Sequence, residues 1–177
     1  LSAYRHKWAL NAVLLALVTG QRVSDIRKMR FSDIVKIDGK SYLEITQEKS
    51  KARLRLDIDI RLDAIGLSIR DVISLCRDSV ISPYLLHHSR VIARGSPKNM
   101  IRLKSITQVF AECRDLVGIE WEGTPASFHE LRSLSERLYR KQGIDTMRLL
   151  GHKHQSMTDT YSDSRGSEWV TVTREVV

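Results

Sequence analysis

Residues 34–60 read IVKIDGKSYLEITQEKSKARLRLDIDI, and their period of two decides the fold. IVKI and SYLEI flank Asp38-Gly39-Lys40, a pairing that predicts a β-hairpin around an Asp-Gly turn. In RLRLDIDI, Leu54, Leu56, Ile58 and Ile60 alternate with Arg53, Arg55, Asp57 and Asp59. That predicts a third strand with one buried face and one charged face. The turn before it carries Lys49, Ser50 and Lys51. The rest of the chain is spaced mainly for helices. The expected class is therefore α+β, a mostly α-helical single domain with a small three-stranded antiparallel sheet inserted after its second helix.

Upstream, residues 4–18 (YRHKWALNAVLLALV) predict a helix whose apolar face includes Trp8, Val13, Leu14 and Leu17. Thr19-Gly20 breaks it. Arg22 follows, and then a second helix through SDIRKMR with Ser24 as its cap, ended by Phe31-Ser32-Asp33. Downstream, Gly66 precedes a helix capped by Ser68, with Asp71 three residues on. Pro83 and HHSRVIARGSPKN mark a loop. Ile106, Val109, Phe110, Cys113 and Val117 return to helical spacing over 104–117. After Gly118, Gly123 and Pro125, Ser127 is expected to open a helix reaching Lys141, with Glu130 closing a capping box. Gly143 ends it. A short helix then runs from Asp145 to Leu150 and stops at Gly151. A further short helix near Ser156 is expected to carry Tyr161, and EWVTVTREVV to form a strand. No internal repeat, low-complexity tract or Pro-rich linker is visible.

A chain of 177 residues with 42% hydrophobic content is long and apolar enough for one packed core. Its net charge of +8 points towards nucleic acid. The longest apolar run, Ala12–Val18, falls far short of the roughly 20 residues a spanning helix needs, so no membrane partner is expected. Cys76 and Cys113, the two cysteines, lie far apart and read as reduced buried thiols of a cytoplasmic protein. The chain begins at Leu1 rather than Met, as expected of a piece of a longer protein.

His129 and Arg132 are three residues apart at the start of a predicted helix, where anions are favoured. His152 follows Gly151 directly, and Tyr161 lies nine residues further on. This pattern suggests a phosphate held by His129, Arg132 and His152 and attacked by Tyr161. Phosphodiester cleavage also needs a proton delivered to the departing oxygen. Arg22, after the Thr19-Gly20 break, and Lys49, in the hairpin turn, are further cations. Taken singly, each residue also reads as an ordinary surface, capping or packing residue. His87-His88 point different ways on most backbones, and His152 and His154 have no third ligand nearby. No metal or other cofactor is therefore expected.

Taken together, the order Arg22, Lys49, His129-x-x-Arg132, His152, Tyr161 resembles the tyrosine recombinase family, also called phage integrases. VTGQRVSDI is similar to the family's first box, with Asp25 three residues after Arg22 as a supporting acid. FHELRSL is similar to the second. LLGHKHQSMTDTY is similar to the third, with Thr158 three residues before Tyr161. The resemblance covers nearly the whole chain and implies a catalytic domain over 1–177. Residues 1–161 would be its core and 162–177 a tail docking in cis or in trans, with N-terminal DNA-binding domains elsewhere in the full protein.

The resemblance also implies roles. Arg22, Arg132 and His152 would bind the scissile phosphate, Lys49 would protonate the leaving 5′ oxygen, and His129 would accept the proton of Tyr161, the nucleophile. Lys51 stays a rival to Lys49, because Lys49-Ser50-Lys51-Ala52 departs from the family's small turn. Lys51, Arg53, Lys98, Arg102 and Lys104 are candidate DNA contacts, suited to holding backbone phosphates rather than reading bases. The implied partners are double-stranded DNA core sites, further copies of the chain forming a homotetramer on DNA, and accessory DNA-bending proteins. Off DNA a monomer or weak oligomer is expected. The competing readings are a type IB topoisomerase-like relaxing enzyme and a non-catalytic DNA-binding module.

Overall fold

Helix α1, Lys7–Thr19, is apolar on most of its circumference, and this explains its central place. In the computed structural model, which describes residues 7–89, 100–151 and 170–172, α1 packs against α2 (Val23–Ile26), which follows it, and against three helices further along the chain. These are α3 (Ile69–Leu75), α4 (Leu103–Asp115) and α5 (Glu130–Lys141). Leu15 and Val18 are fully buried. Val13 and Leu14, assigned to the buried face from the sequence, are only half-buried, because the most enclosed side of α1 carries Ala12, Leu15 and Ala16.

The sheet follows the predicted period. Strands β1 (Ile34–Ile37), β2 (Lys40–Thr46) and β3 (Arg53–Asp57) pair antiparallel in that order. Asp38 and Gly39 both have positive φ, 48° and 81°, as a two-residue turn of the primed type requires. Leu54, Leu56, Ile58 and Ile60 are all buried. A short strand at Val170–Val172, β6, adds to β3 in parallel within the same chain. The tail strand expected from EWVTVTREVV is thus present over these residues. Arg55 lies opposite Glu44 on β2 and pairs with it at 2.7 Å, while Asp57 is buried, so the polar face of β3 is less open than alternation suggests.

Between the sheet and α3 lies a two-stranded ladder, β4 (Arg61–Leu62) with β5 (Leu67–Ser68). Two-residue strands carry no periodic signal, and the sequence did not reveal them. Ser68 caps α3 as read. Its hydroxyl accepts from the Asp71 N–H at 3.1 Å, and the Asp71 carboxylate accepts from the Ser68 N–H at 2.9 Å. The Ser68 N–H and the Ser68 hydroxyl, which donates to the same carboxylate at 2.8 Å, hold the Asp71 carboxyl below its ordinary value. Ser68→Ala should cost about 1 kcal/mol in urea denaturation. The deficit should narrow in strong acid, since a depressed carboxylate contributes stability only while ionised.

Three expectations are corrected. Helix α2 spans only Val23–Ile26, Arg22 occupies the N-cap position, and Ser24 lies inside the helix. The chain leaves the helix early because Met29 and Phe31 bond instead to the Pro83–Leu85 segment. The Leu85 N–H donates to Met29 O at 2.9 Å, and the Phe31 N–H to Pro83 O at 3.0 Å. Helix α4 stops at Asp115, leaving Val117 67% exposed outside the apolar stripe. Helix α5 begins regularly at Glu130 rather than at Ser127. The Glu130 carboxylate still accepts from the Ser127 N–H, but His129 takes the cap position in helical conformation without a side-chain cap bond. The expected helix near Ser156 lies outside the described residues.

Candidate active site

Helix α5 positions the central cation. Arg132, Ser135 and Tyr139 recur at i, i+3 and i+7, one face of a helix, and all three are buried. They meet the C-terminal end of α1, whose last carbonyls have no helical partner. Tyr139 Oη donates to Val18 O at 2.8 Å, Ser135 Oγ to Leu17 O at 2.6 Å, and Arg132 Nη1 to Gly20 O at 2.7 Å. The sequence leaves Arg132 readable as an ordinary surface arginine. The structure buries it to 7% exposure, because it closes the end of another helix.

Arg132 also reaches the third motif. Its Nη2 donates to Leu150 O at 2.8 Å. Leu150 ends α6 (Thr146–Leu150), a helix capped by Asp145, which accepts from the Arg148 N–H, and closed by Gly151 at φ 64°. Burial pushes the Arg132 guanidinium down to about 10, the charge of Arg22 adds to the shift, and Asp25 opposes it. It remains a cation at neutral pH.

Arg22 stands at the turn from α1 to α2, where Gly20 takes φ 65°. Its Nη1 is buried with no hydrogen-bond partner among the described residues. A buried cationic donor left unpaired is costly unless a ligand completes it. Asp25, 4% exposed, turns towards the lysine hairpin, and its Oδ1 accepts from the Glu48 N–H at 2.7 Å. The acid after Arg22 thus anchors the residue preceding Lys49.

Arg22, Lys49, His129 and Arg132 line one open cavity of about 350 Å³ together with Glu136 and Arg137. Four residues separated by up to 110 positions in the chain are therefore brought together. Lys51 does not line this cavity. It occupies a left-handed turn position at φ 59°. Arg137 lines the cavity too but was not singled out from the sequence, although His129, Ser133 and Arg137 recur every four residues along one face. His152, Tyr161 and Lys98 lie outside the described residues. Arg102 and Lys104 are exposed at the start of α4, and Arg53 opens β3.

Among the described residues no group of three or more His, Cys, Asp or Glu could hold a metal ion. His87 is buried and committed elsewhere, with Nδ1 2.9 Å from Tyr84 O and Nε2 3.1 Å from Asp78 Oδ1. Cys76 and Cys113 are buried free thiols, Cys76 pushed up to about 12 by burial. No helix among the described residues is long and apolar enough to cross a membrane.

The chain is 47% identical over 165 residues to prophage integrase IntE of Escherichia coli K12, covering 93% of this chain and 43% of that protein. It thus spans under half the length of that relative. The solved lambda integrase catalytic core superposes with a TM-score of 0.78 at 31% identity, covering 97% of this chain and 91% of that one. A lambda integrase tetramer bound to a Holliday junction superposes at 0.73 with 32% identity, covering 91% and 45%. Residues 2–168 match the profile of the Phage integrase family. With that match over most of the chain, and with the motif arginines meeting the hairpin lysine in one cavity, the chain belongs to the phage integrase family.

Proposed function

We propose that this chain is the catalytic part of a site-specific recombinase that cleaves and rejoins DNA strands to integrate and excise a mobile element. The observation that carries this reading is the convergence of Arg22, Lys49, His129 and Arg132 on one cavity, with a buried cationic donor of Arg22 that meets no partner among the described residues. Such a site suits the non-bridging oxygens of a phosphodiester. In the proposed step, Tyr161 Oη attacks phosphorus and the bond from phosphorus to the 5′ oxygen breaks. A 3′-phosphotyrosyl link forms, the tyrosine proton passes to His129, and Lys49 supplies a proton to the departing oxygen. His152 donates to a phosphate oxygen. The covalent link conserves the bond, so a 5′-hydroxyl from another strand reverses the step without a cofactor.

Arg53, Lys51, Lys98, Arg102 and Lys104 then hold backbone phosphates of the double-stranded core site. The kinship with a lambda integrase solved as a tetramer on a Holliday junction supports a homotetramer on DNA, with accessory bending proteins where the full protein uses them. The setting is the bacterial cytoplasm, where the host DNA lies.

A nicked duplex carrying the attachment core of the encoding element tests the reading, because loss of the short 5′ fragment traps the intermediate. Wild type should form a covalent protein–DNA adduct stable to denaturing gels, and Tyr161→Phe none. Identical behaviour of the two, with no adduct from either, would leave only a DNA-binding module. Supercoil relaxation without exchange between two sites would point instead to a relaxing enzyme.

A further inference from the structure

We propose that Gln47 is a positioning residue for the hairpin lysine, locking the Lys49 turn to the segment that leads into His152. The proposal rests on the reading of Lys49 as the proton donor to the leaving oxygen.

Gln47 is the last residue before the turn that carries Lys49, and it is 1% exposed. A glutamine so deeply buried needs its amide satisfied on both sides, and each of its partners lines the site or stands next in the chain to a residue that does. Its Nε2 donates to Gln21 Oε1 at 2.6 Å and to Leu150 O at 2.9 Å, while its Oε1 accepts from Ser50 Oγ. Gln21 precedes Arg22, and its own Nε2 donates to Leu149 O at 2.8 Å and Thr19 O at 3.0 Å. Leu150 O is the same carbonyl that Arg132 holds. One amide pair therefore ties together the residue before Arg22, the turn bearing Lys49, and the end of α6.

The main chain of Gln47 closes the turn as well. Its N–H donates to Ala52 O at 2.9 Å, and its carbonyl accepts from the Lys51 N–H at 3.0 Å. Gly151, immediately before His152, lies so close that an added Cβ would stand 3.1 Å from both amide atoms of Gln47. Lys49 is exposed and long, and only the placement of its backbone limits where its ammonium can reach. The amide of Gln47 fixes that placement relative to the phosphate cations. Misplacing a catalytic group by about 1 Å can cost roughly 100-fold in rate.

A substrate that needs no proton at its leaving atom separates this role from general structural support. In a 5′-bridging phosphorothiolate the sulfur departs as a thiolate, since a thiol ionises near about 8.5. The nicked attachment-core duplex is made in ordinary and phosphorothiolate forms. Adduct formation is timed for wild type, Lys49→Ala, Gln47→Leu and Ser50→Ala, with melting temperatures measured alongside. Ser50 lies in the half-exposed turn, so its variant reads the link even where Gln47→Leu does not fold. Expected are a loss of about 10- to 100-fold for Gln47→Leu on the ordinary duplex, a smaller loss for Ser50→Ala, and recovery of both to near wild-type rates with phosphorothiolate. Equal losses on the two substrates, or no loss on either, would overturn the positioning role. Lys49→Ala separates the two failures. If it is rescued and the glutamine and serine variants are not, only the role of Gln47 falls. If it is not rescued, the assignment of Lys49 falls with it.

Discussion

Arg22→Gln is expected to abolish detectable strand cleavage and, in the same protein, to raise the melting temperature. Both effects have one cause. Arg22 carries a buried Nη1 that meets no hydrogen-bond partner among the described residues, and its charge faces Arg132. Arg132 is pushed down from the ordinary guanidinium range to about 10, by burial first and by Arg22 second. A base whose folded value is lowered binds fewer protons folded than unfolded. Stability therefore rises with pH from about 10 up to the ordinary guanidinium value. Below that window the charged pair is a standing cost.

The substitution removes the second cause of that cost and a buried unpaired donor. It should gain on the order of 1 kcal/mol, or about 2–4 °C at this chain length. Cleavage should fall by about 100- to 1000-fold, the usual loss for one transition-state donor. Arg132→Gln supplies the contrast. It should silence cleavage as well, but lower stability by about 1–3 kcal/mol, because the carbonyls of Gly20 and Leu150 lose their donor. Calorimetry beside adduct assays checks both. Melting of Arg22→Gln below wild type would show that Arg22 serves the fold and not only the phosphate.

The period of two in residues 34–60 is enough to read three strands and the turn between the first two, because alternation and an Asp-Gly turn agree. The Ser68 cap was legible for a similar reason, as local chemistry within four residues. Failures arose where a distant partner decides the local outcome. The second helix stops at Ile26 because the Pro83–Leu85 segment claims the backbone of Met29 and Phe31, and nothing near Ile26 signals this. The site divides in the same way. The order of motif residues made Arg22, Lys49, His129 and Arg132 legible, and the structure brings all four to one cavity. The supports were not legible. Gln21 and Gln47, which the sequence does not single out, are buried against each other across 26 positions. Ser135 and Tyr139 share a helix face with Arg132, but only the fold shows that the face caps α1.

Gly20→Ala should be among the most damaging small substitutions in the chain, and the reason lies where these supports meet. Gly20 holds φ 65°, a conformation that costs a side-chain-bearing residue about 1–2 kcal/mol. Space compounds the strain. An added Cβ would stand 2.7 Å from Leu150 Cδ2 and 3.2 Å from Ser135 Oγ. Neither neighbour yields easily. The Ser135 hydroxyl is tied to Leu17 O, and the Leu150 side chain, 3% exposed, has little room to turn aside.

Overpacking of this kind adds about 1–3 kcal/mol, for a total of roughly 2–5 kcal/mol. Gly143→Ala provides the control, since Gly143 has φ 76° and nothing within 4 Å of an added Cβ. It should lose only the backbone part. Urea midpoints for the two variants, at unchanged slope, isolate the packing contribution as their difference. Where Gly20→Ala stays folded, its cleavage should fall further than Gly143→Ala at matched folded fraction, because a displaced Leu150 moves the carbonyl on which the phosphate arginine and the lysine hairpin both rest. Equal midpoints and equal cleavage for the two variants would mean that the contact at Gly20 relaxes without reaching the site.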